Sequence, residues 1–291
     1  MRRKASQQGI GDAAPTADDR AFVQVVARAF DVMRCFEGAG AELGNQDISR
    51  RTGLPPSTVS RLTYTLTRIG HLSYRPDLQR YRVGAGAVAL SSALLHGMDL
   101  RRLVRPVMQD LAEQVPGTVG LTVRDRGDMV YAEYARSAGT VGLYSVVGSR
   151  ISLALSAAGR AHAAGLEPEA RAALLRDLRA AAPGPAARLE QWLVGGVPQL
   201  RRCGCITSCG DWSPHINGIA MPIPMPWPRT PDGAGFVLGI GVLASVFDAA
   251  RLHAEAAPLL LTAGAQVSAL LNVLPDALPN PPTPNHEAPP P

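Results

Sequence analysis

The chain has 291 residues with 29 Lys+Arg against 24 Asp+Glu, and 46% of its residues are hydrophobic while 18% are charged. That length corresponds to about two domains, and the apolar content excludes wholesale disorder. The longest nearly uncharged apolar stretch, Phe236 to Phe247, is short of the roughly 18 residues a membrane helix needs, so no spanning segment is expected. Polar residues follow the basic start at Arg2, Arg3 and Lys4 where an export signal would place an apolar run, which gives the expectation of a cytoplasmic protein. Four cysteines, at 35, 203, 205 and 209, are too few and too clustered for a disulfide scaffold.

Charge divides the chain unevenly. Residues 1–97 carry 13 Lys+Arg and 8 Asp+Glu, whereas residues 98–291 carry 16 of each. A basic module joined to a neutral one points to polyanion binding by the first. The ends, residues 1–20 and the Pro-rich run 275–291, are expected to be disordered, because neither has the pattern of a packed element.

In chain order, apolar residues at 22, 26, 29, 30, 33 and 36 predict an amphipathic helix ended by Gly38 and Gly40. A short second helix is expected from Gln46 to Thr52, closed by Gly53. Pro55-Pro56 then opens a third helix that reaches Ile69. Its spacing assigns Val59, Leu62, Leu66 and Ile69 to a buried stripe. Ser57, Arg61, Tyr64 and Arg68 fall on the opposite face, where they can meet phosphates and base edges. Thr58 and Ser60 sit near the helix start, where exposed amides and short hydroxyls favour phosphate. Leu72-Ser73-Tyr74 and Tyr81-Arg82-Val83 predict a hairpin wing with Arg75 and Arg80 near its tip.

The stretch Asp47 to Leu62, containing Arg51-Thr52-Gly53-Leu54-Pro55 and Ser57-Thr58-Val59-Ser60-Arg61-Leu62, together with Tyr81-Arg82-Val83-Gly84, resembles the winged helix-turn-helix of IclR-type transcriptional regulators. The resemblance covers residues 22–274 and is weaker in the second half. It implies a winged-helix domain over 21–84, a linker helix over 85–97 and a GAF-like effector-binding domain over 98–274. The fold class expected is thus an all-α/winged-helix N-terminal domain plus an α+β (GAF-like) C-terminal domain. A protein of this kind would bind double-stranded DNA at a palindromic operator as a dimer or tetramer and would respond to a small metabolite.

For the second domain the pattern predicts a helix over Asp99–Val115, strands over 118–124, 129–134 and 141–147, helices over 155–164, 167–180 and 185–194, strands near 216–223 and 235–243, and a last helix over 248–273. Gly239-Ile240-Gly241-Val242-Leu243-Ala244 matches a dinucleotide fingerprint, but it lies inside a strand and no acidic residue follows at the required distance. No hydrolase or phosphate-cradling motif occurs, so neither enzyme chemistry nor a cofactor is expected, and a small-molecule enzyme with the basic domain as an accessory is the alternative reading. Cys203, Cys205 and Cys209 form C-x-C-x3-C with His215 as the nearby fourth ligand. This leaves open a thiol redox or metal sensor beside the plainer reading of small residues along a strand or pocket.

The resemblance extends to the effector pocket, with Gly210–Ile223 as one wall and Ser152–Arg160 as the other. It implies a pocket lined by Leu143, Leu153, Trp212 and Ile240, with Ser156, Asp211, His215 and Asn217 as its polar groups. Each has a plain alternative: Trp212 as core, His215 as a surface residue, Asp211 as a turn former. A small aromatic or carboxylated metabolite would suit such a lining.

Overall fold

A computed structural model of the chain describes residues 22–36, 42–87, 89, 99–138, 145–223 and 235–277. Helices α1 (Gln24–Arg34), α2 (Asn45–Thr52) and α3 (Pro56–Arg68) are followed by the antiparallel hairpin β1 (Leu72–Arg75) and β2 (Arg80–Val83). Their core gathers Val32, Cys35, Phe36, Leu43, Ile48, Val59, Leu62, Leu66 and Leu72. Gly53 at φ 70° ends α2, a backbone conformation that side chains with a Cβ seldom adopt, and Pro56 opens α3 directly afterwards. Thr63 is also buried. Its hydroxyl bonds the Asn45 Oδ1 at 3.1 Å and so ties α3 to the start of α2.

Two apolar patterns are corrected. Ile69 does not complete the buried stripe of α3: it lies beyond the last helical turn and is 59% exposed. Helix α1 buries Val32, and Cys35 and Phe36 just beyond it join the same core, while Val26 and Phe30 of α1 and Phe22 just before it are open to solvent. The period of the apolar residues identified the helix but could not separate its buried positions from its exposed ones. Residues 85–87 and 89 are helical, while 88 and 90–98 lie outside the described residues, as do 1–21 and 278–291; residues 275–277, expected in the disordered tail, instead complete the last helix.

The second domain begins with α4 (Asp99–Gln114). A six-stranded antiparallel sheet follows, made of β3 (Gly117–Asp125), β4 (Asp128–Arg136), β5 (Arg150–Ser152), β6 (Ile206–Cys209), β7 (Ile216–Ile223) and β8 (Phe236–Leu243) in the order β5-β4-β3-β8-β7-β6. Helices α5 (Ala157–Gly165), α6 (Pro168–Ala181) and α7 (Pro183–Cys203) lie between β5 and β6, and the chain closes with α8, which runs Ala249–Arg251, through a π-helical turn Leu252–Ala256, into Ala257–Ala277. Among the described residues, no helix is long and apolar enough to cross a membrane.

Strand alternation explains the layers. Val119, Leu121, Ile219, Leu238, Ile240 and Val242 point to one face and pack with Val104, Met108 and Leu111 of α4 and Leu252, Leu260 and Val267 of α8. Ala220 and Val237 belong to the other face, against α5, α6 and α7. Three expectations change here. Residues 145–147 are not strand, and residues 141–144 lie outside the described residues. The helix expected over 185–194 runs through Pro198 to Cys203, and β6 occupies Ile206–Cys209 where no strand was anticipated.

Candidate nucleic-acid interface and effector pocket

Helix α3 offers its outer face to solvent. Ser57, Ser60, Arg61, Tyr64 and Arg68 are exposed, Tyr64 at 65%, while Val59, Leu62, Thr63 and Leu66 are buried behind them. Thr58 is half-buried. Arg61 and Arg68 make no ion pair among the described residues, so their guanidinium groups keep every donor for a ligand.

The wing is different. Arg75 donates two hydrogen bonds to Asp77, at 3.1 and 2.7 Å, and lies 3.6 Å from Glu42. The hydrogen bond from Arg75 holds the Asp77 carboxyl below its usual range. Arg80 donates to the Glu42 carbonyl at 2.6 Å and to Asp47 at 3.3 Å. Asp47 also accepts from the Gly44 N–H at 3.1 Å and from Arg50; the backbone bond is the main reason its carboxyl is depressed, with the arginines adding to it. Arg80 therefore anchors the wing to α2, and neither expected wing residue is a free cation. Arg82 on β2 was not singled out, yet it is exposed and makes no ion pair among the described residues.

On the α5 side of the sheet, Thr118, Gly120 and Thr122 of β3, Gly218 and Ala220 of β7, and Gly239 and Gly241 of β8 surround a pocket with a cavity volume of about 60 Å³ that opens to solvent. Tyr131, Ile151, Ile216 and Trp212 border it. Ser156, Ala157 and Ala158 at the start of α5, and Ser208 of β6, complete the wall. The glycines make the space: a Cβ at Gly218 would stand 3.3 Å from the Ala157 Cβ, and one at Gly241 would stand 3.2 Å from the Thr118 hydroxyl. At Gly120 the Tyr131 ring lies where a Cβ would go, 2.2 Å away. Among the described residues no charged side chain lines this pocket. Burial pushes the Tyr131 phenol up, so it enters as a neutral hydroxyl.

The model for the IclR helix-turn-helix domain matches residues 25–76, and the model for the bacterial transcriptional regulator IclR C-terminal domain matches residues 92–230. The chain belongs to the IclR family. An IclR family transcriptional regulator from Brucella abortus is similar over 89% of this chain and 97% of its own, with a TM-score of 0.74 and 30% identity. The HTH-type transcriptional regulator TsaQ1/TsaQ2 of Comamonas testosteroni is 36% identical over 115 residues, which is 40% of this chain and 41% of that protein. The chain thus aligns with about two fifths of that relative's length. A structure of an IclR homolog from Microbacterium hydrocarbonoxydans complexed with 4-hydroxybenzoate has the same fold, with a TM-score of 0.62 and 22% identity over 86% of this chain and 99% of the other. The expected fold class, a helix-turn-helix domain followed by an α+β domain, is the one found in this family.

Within this IclR-family chain the expected pocket residues scatter. Trp212 and Ser156 do line the pocket, though the Ser156 hydroxyl also caps α5 by accepting the Gly159 N–H at 3.1 Å. Ile240 borders the pocket through its place in β8, while its side chain belongs to the core on the opposite face. Leu153 is fully buried in the α5–α7 core, and Asn217 turns away to donate to the Phe247 carbonyl at 2.9 Å. His215 is exposed and does not line the pocket, and Asp211 bonds to Arg160 and Ser208 instead of facing it. Leu143 lies outside the described residues. Alternation assigns Asn217 and Gly218 to opposite faces, so a resemblance read as a continuous segment necessarily mixed the two.

The cysteines do not converge. Cys203 ends α7, Cys205 is buried in the α4/α8 core, and Cys209 is exposed at the end of β6. Burial pushes the Cys205 and Cys209 thiols up, away from the reactive thiolate. Among the described residues no three His, Cys, Asp or Glu side chains come together as a metal site.

Proposed function

We propose that this chain binds a specific double-stranded DNA operator by placing α3 in the major groove, and that a small metabolite in the sheet pocket modulates the binding. The observation that carries the reading is the outer face of α3, where Arg61 and Arg68 stand exposed beside Ser57, Ser60 and Tyr64 over a fully packed inner face. Arg61 is the candidate for a base edge, since a guanidinium can bond both acceptors of a guanine. Ser57, Thr58 and Ser60 would meet phosphate at the helix start. Arg82 is a better candidate for a wing contact than Arg75 or Arg80, whose charges are matched within the domain.

A single winged helix covers little DNA, so a dimer on a palindromic site suits the module. The exposed Val26 and Phe30 of α1, with Phe22 just before the helix, support self-association, because apolar side chains left in water gain from being covered. Such a regulator would act in the cytoplasm, where its operator is. The uncharged, glycine-lined pocket suits a small aromatic compound, and the first amides of α5 beside Ala157 and Ala158 can receive a carboxylate. The related protein that holds 4-hydroxybenzoate makes that compound the first to try.

The decisive measurement is binding of the full chain to genomic fragments selected on it, compared with random DNA at matched salt. Preference for the selected fragments, relaxed by Arg61→Ala, is expected; equal affinity for both would leave only nonspecific binding and defeat the reading.

A further inference from the structure

Arg160 is the most deeply buried arginine beside the pocket, yet it does not line it. Its side chain is 7% exposed, and Nη1 donates to the Asp211 Oδ2 at 2.6 Å. Nε donates to the Ala154 carbonyl at 3.3 Å, and the guanidinium carbon lies 5.0 Å from the centre of the Trp192 ring on α7. The Ser208 hydroxyl donates to the Leu155 carbonyl at 2.7 Å and lies 3.3 Å from the same Asp211 oxygen. Ser208 and Trp212, on either side of Asp211, belong to one wall of the pocket, and Ser156, Ala157 and Ala158 at the start of α5 belong to the facing wall.

We propose that the Arg160–Asp211 pair is a strap behind the pocket lining that holds the 209–215 loop against α5 and thereby sets the distance between the two walls. The proposal rests on the pocket being the ligand site. Apart from the Ala244 N–H, which donates to the His215 carbonyl at 2.9 Å and fixes the loop's far end, its backbone bonds are internal: Gly210 takes a left-handed φ of 74°, its N–H donates to the Ile216 carbonyl at 3.2 Å, and the Ile216 N–H donates to the Ser213 carbonyl at 3.0 Å. The strap uses what a guanidinium has and an ammonium lacks, a flat face for Trp192 and separate edges for Ala154 and Asp211. A buried charge that loses its partner seeks water, and Asp211 is the only carboxylate with which Arg160 forms an ion pair among the described residues. Without it, Arg160 would leave its seat and the wall carrying Trp212 would come away from α5. Arg160 and Asp211 are therefore positioning residues, and a carboxylated ligand in the pocket meets a cation already neutralised.

Amide hydrogen exchange on the full chain tests the strap without a ligand. Asp211→Asn and Arg160→Met should raise exchange severalfold in residues 209–216, with strands β3 and β8 and the winged helix unchanged, and Arg160→Lys should fall between these and the wild type. Exchange at wild-type level in Asp211→Asn would overturn the proposal. So would a rise spread evenly over the C-terminal domain, which is what a merely structural ion pair gives. Calorimetric titration with benzoate separates the two readings. If the wild type binds it, the Asn and Met variants should bind it severalfold more weakly, and equal affinities would overturn the positioning role. If the wild type does not bind it while exchange rises locally, the strap stands and the pocket reading fails for aromatic acids.

Discussion

On the outer face of α3, Ser57, Ser60, Arg61, Tyr64 and Arg68 extend into solvent, whereas on the pocket face of the sheet Gly120, Gly218, Gly239 and Gly241 withhold side chains so that a concave space remains. The first surface acts through groups it presents and the second through groups it omits. Truncation should therefore harm the helix face alone, while enlargement should harm the pocket. The buried faces behind them also differ. The inner face of α3 is a three-element core of Val59, Leu62 and Leu66, but α5 approaches its neighbours at backbone distance.

The largest expected effect is on that close approach. A Cβ on Gly159 would stand 2.1 Å from the Leu153 carbonyl oxygen, a backbone atom that cannot swing aside. Gly159→Ala should destabilise the C-terminal domain by about 3 kcal/mol, at the upper end of ordinary overpacking costs. Denaturant unfolding followed by a probe in that domain measures it, and a change under about 1 kcal/mol would show that α5 can shift away from its seat.

Next is the presented surface. Arg61→Ala should leave the unfolding midpoint unchanged, because the side chain packs against nothing buried, and should cost about 1–3 kcal/mol at a single base pair of the operator. Denaturant unfolding reads the first quantity, and competition binding against operators altered one position at a time reads the second. Preference and affinity equal to the wild type would place the reading face elsewhere. A smaller effect is expected at the wing: Arg82→Ala should make log K against log salt shallower by about 0.9 if it meets one phosphate, and Arg80→Ala should change that slope less, since its charge is already matched by Asp47.

The helix-turn-helix was legible in the sequence because each of its parts has a local cause. Gly53 fixes the turn, Pro56 fixes the start of α3, and a single 3.6-residue period sorts its faces until Ile69, where the helix has already ended. The sheet pocket was less legible because its lining comes from strands far apart in the chain. Thr118 and Gly241 are Cα partners, and only the pairing of β3 with β8 makes them neighbours. Arg160 and Asp211 are 51 positions apart, so no local pattern could have joined them. The case of Arg80 has a simpler cause: a cation at a wing tip looks available until its acid partner on α2 is located.

Asp47 gives the smallest effect and the sharpest test of that last point. The Gly44 N–H, and after it Arg50 and Arg80, hold its carboxyl below the ordinary range. A carboxyl depressed on folding adds stability above its unfolded pKa of about 3.9, and that contribution is lost as pH falls through the lower folded value. The winged-helix domain should thus lose stability on acidification below about pH 5, and Asp47→Asn should flatten part of that loss. Asp47 is half-buried but its arginine partners are exposed and screened by solvent, so the change is small and is best read as the difference in slope between the two proteins. The same substitution unmatches Arg80. Asp47 also pairs with Arg50, so if Arg80 is silent toward DNA only because Asp47 neutralises it, Asp47→Asn should steepen the salt dependence of binding at neutral pH, and Arg80→Ala added to it should take back the part of that change that Arg50 does not supply. A slope unchanged by Asp47→Asn would mean that the wing carries Arg80 out of reach of the phosphates whatever its charge, and the contrast between α3 and the wing would then be one of position and not of ion pairing.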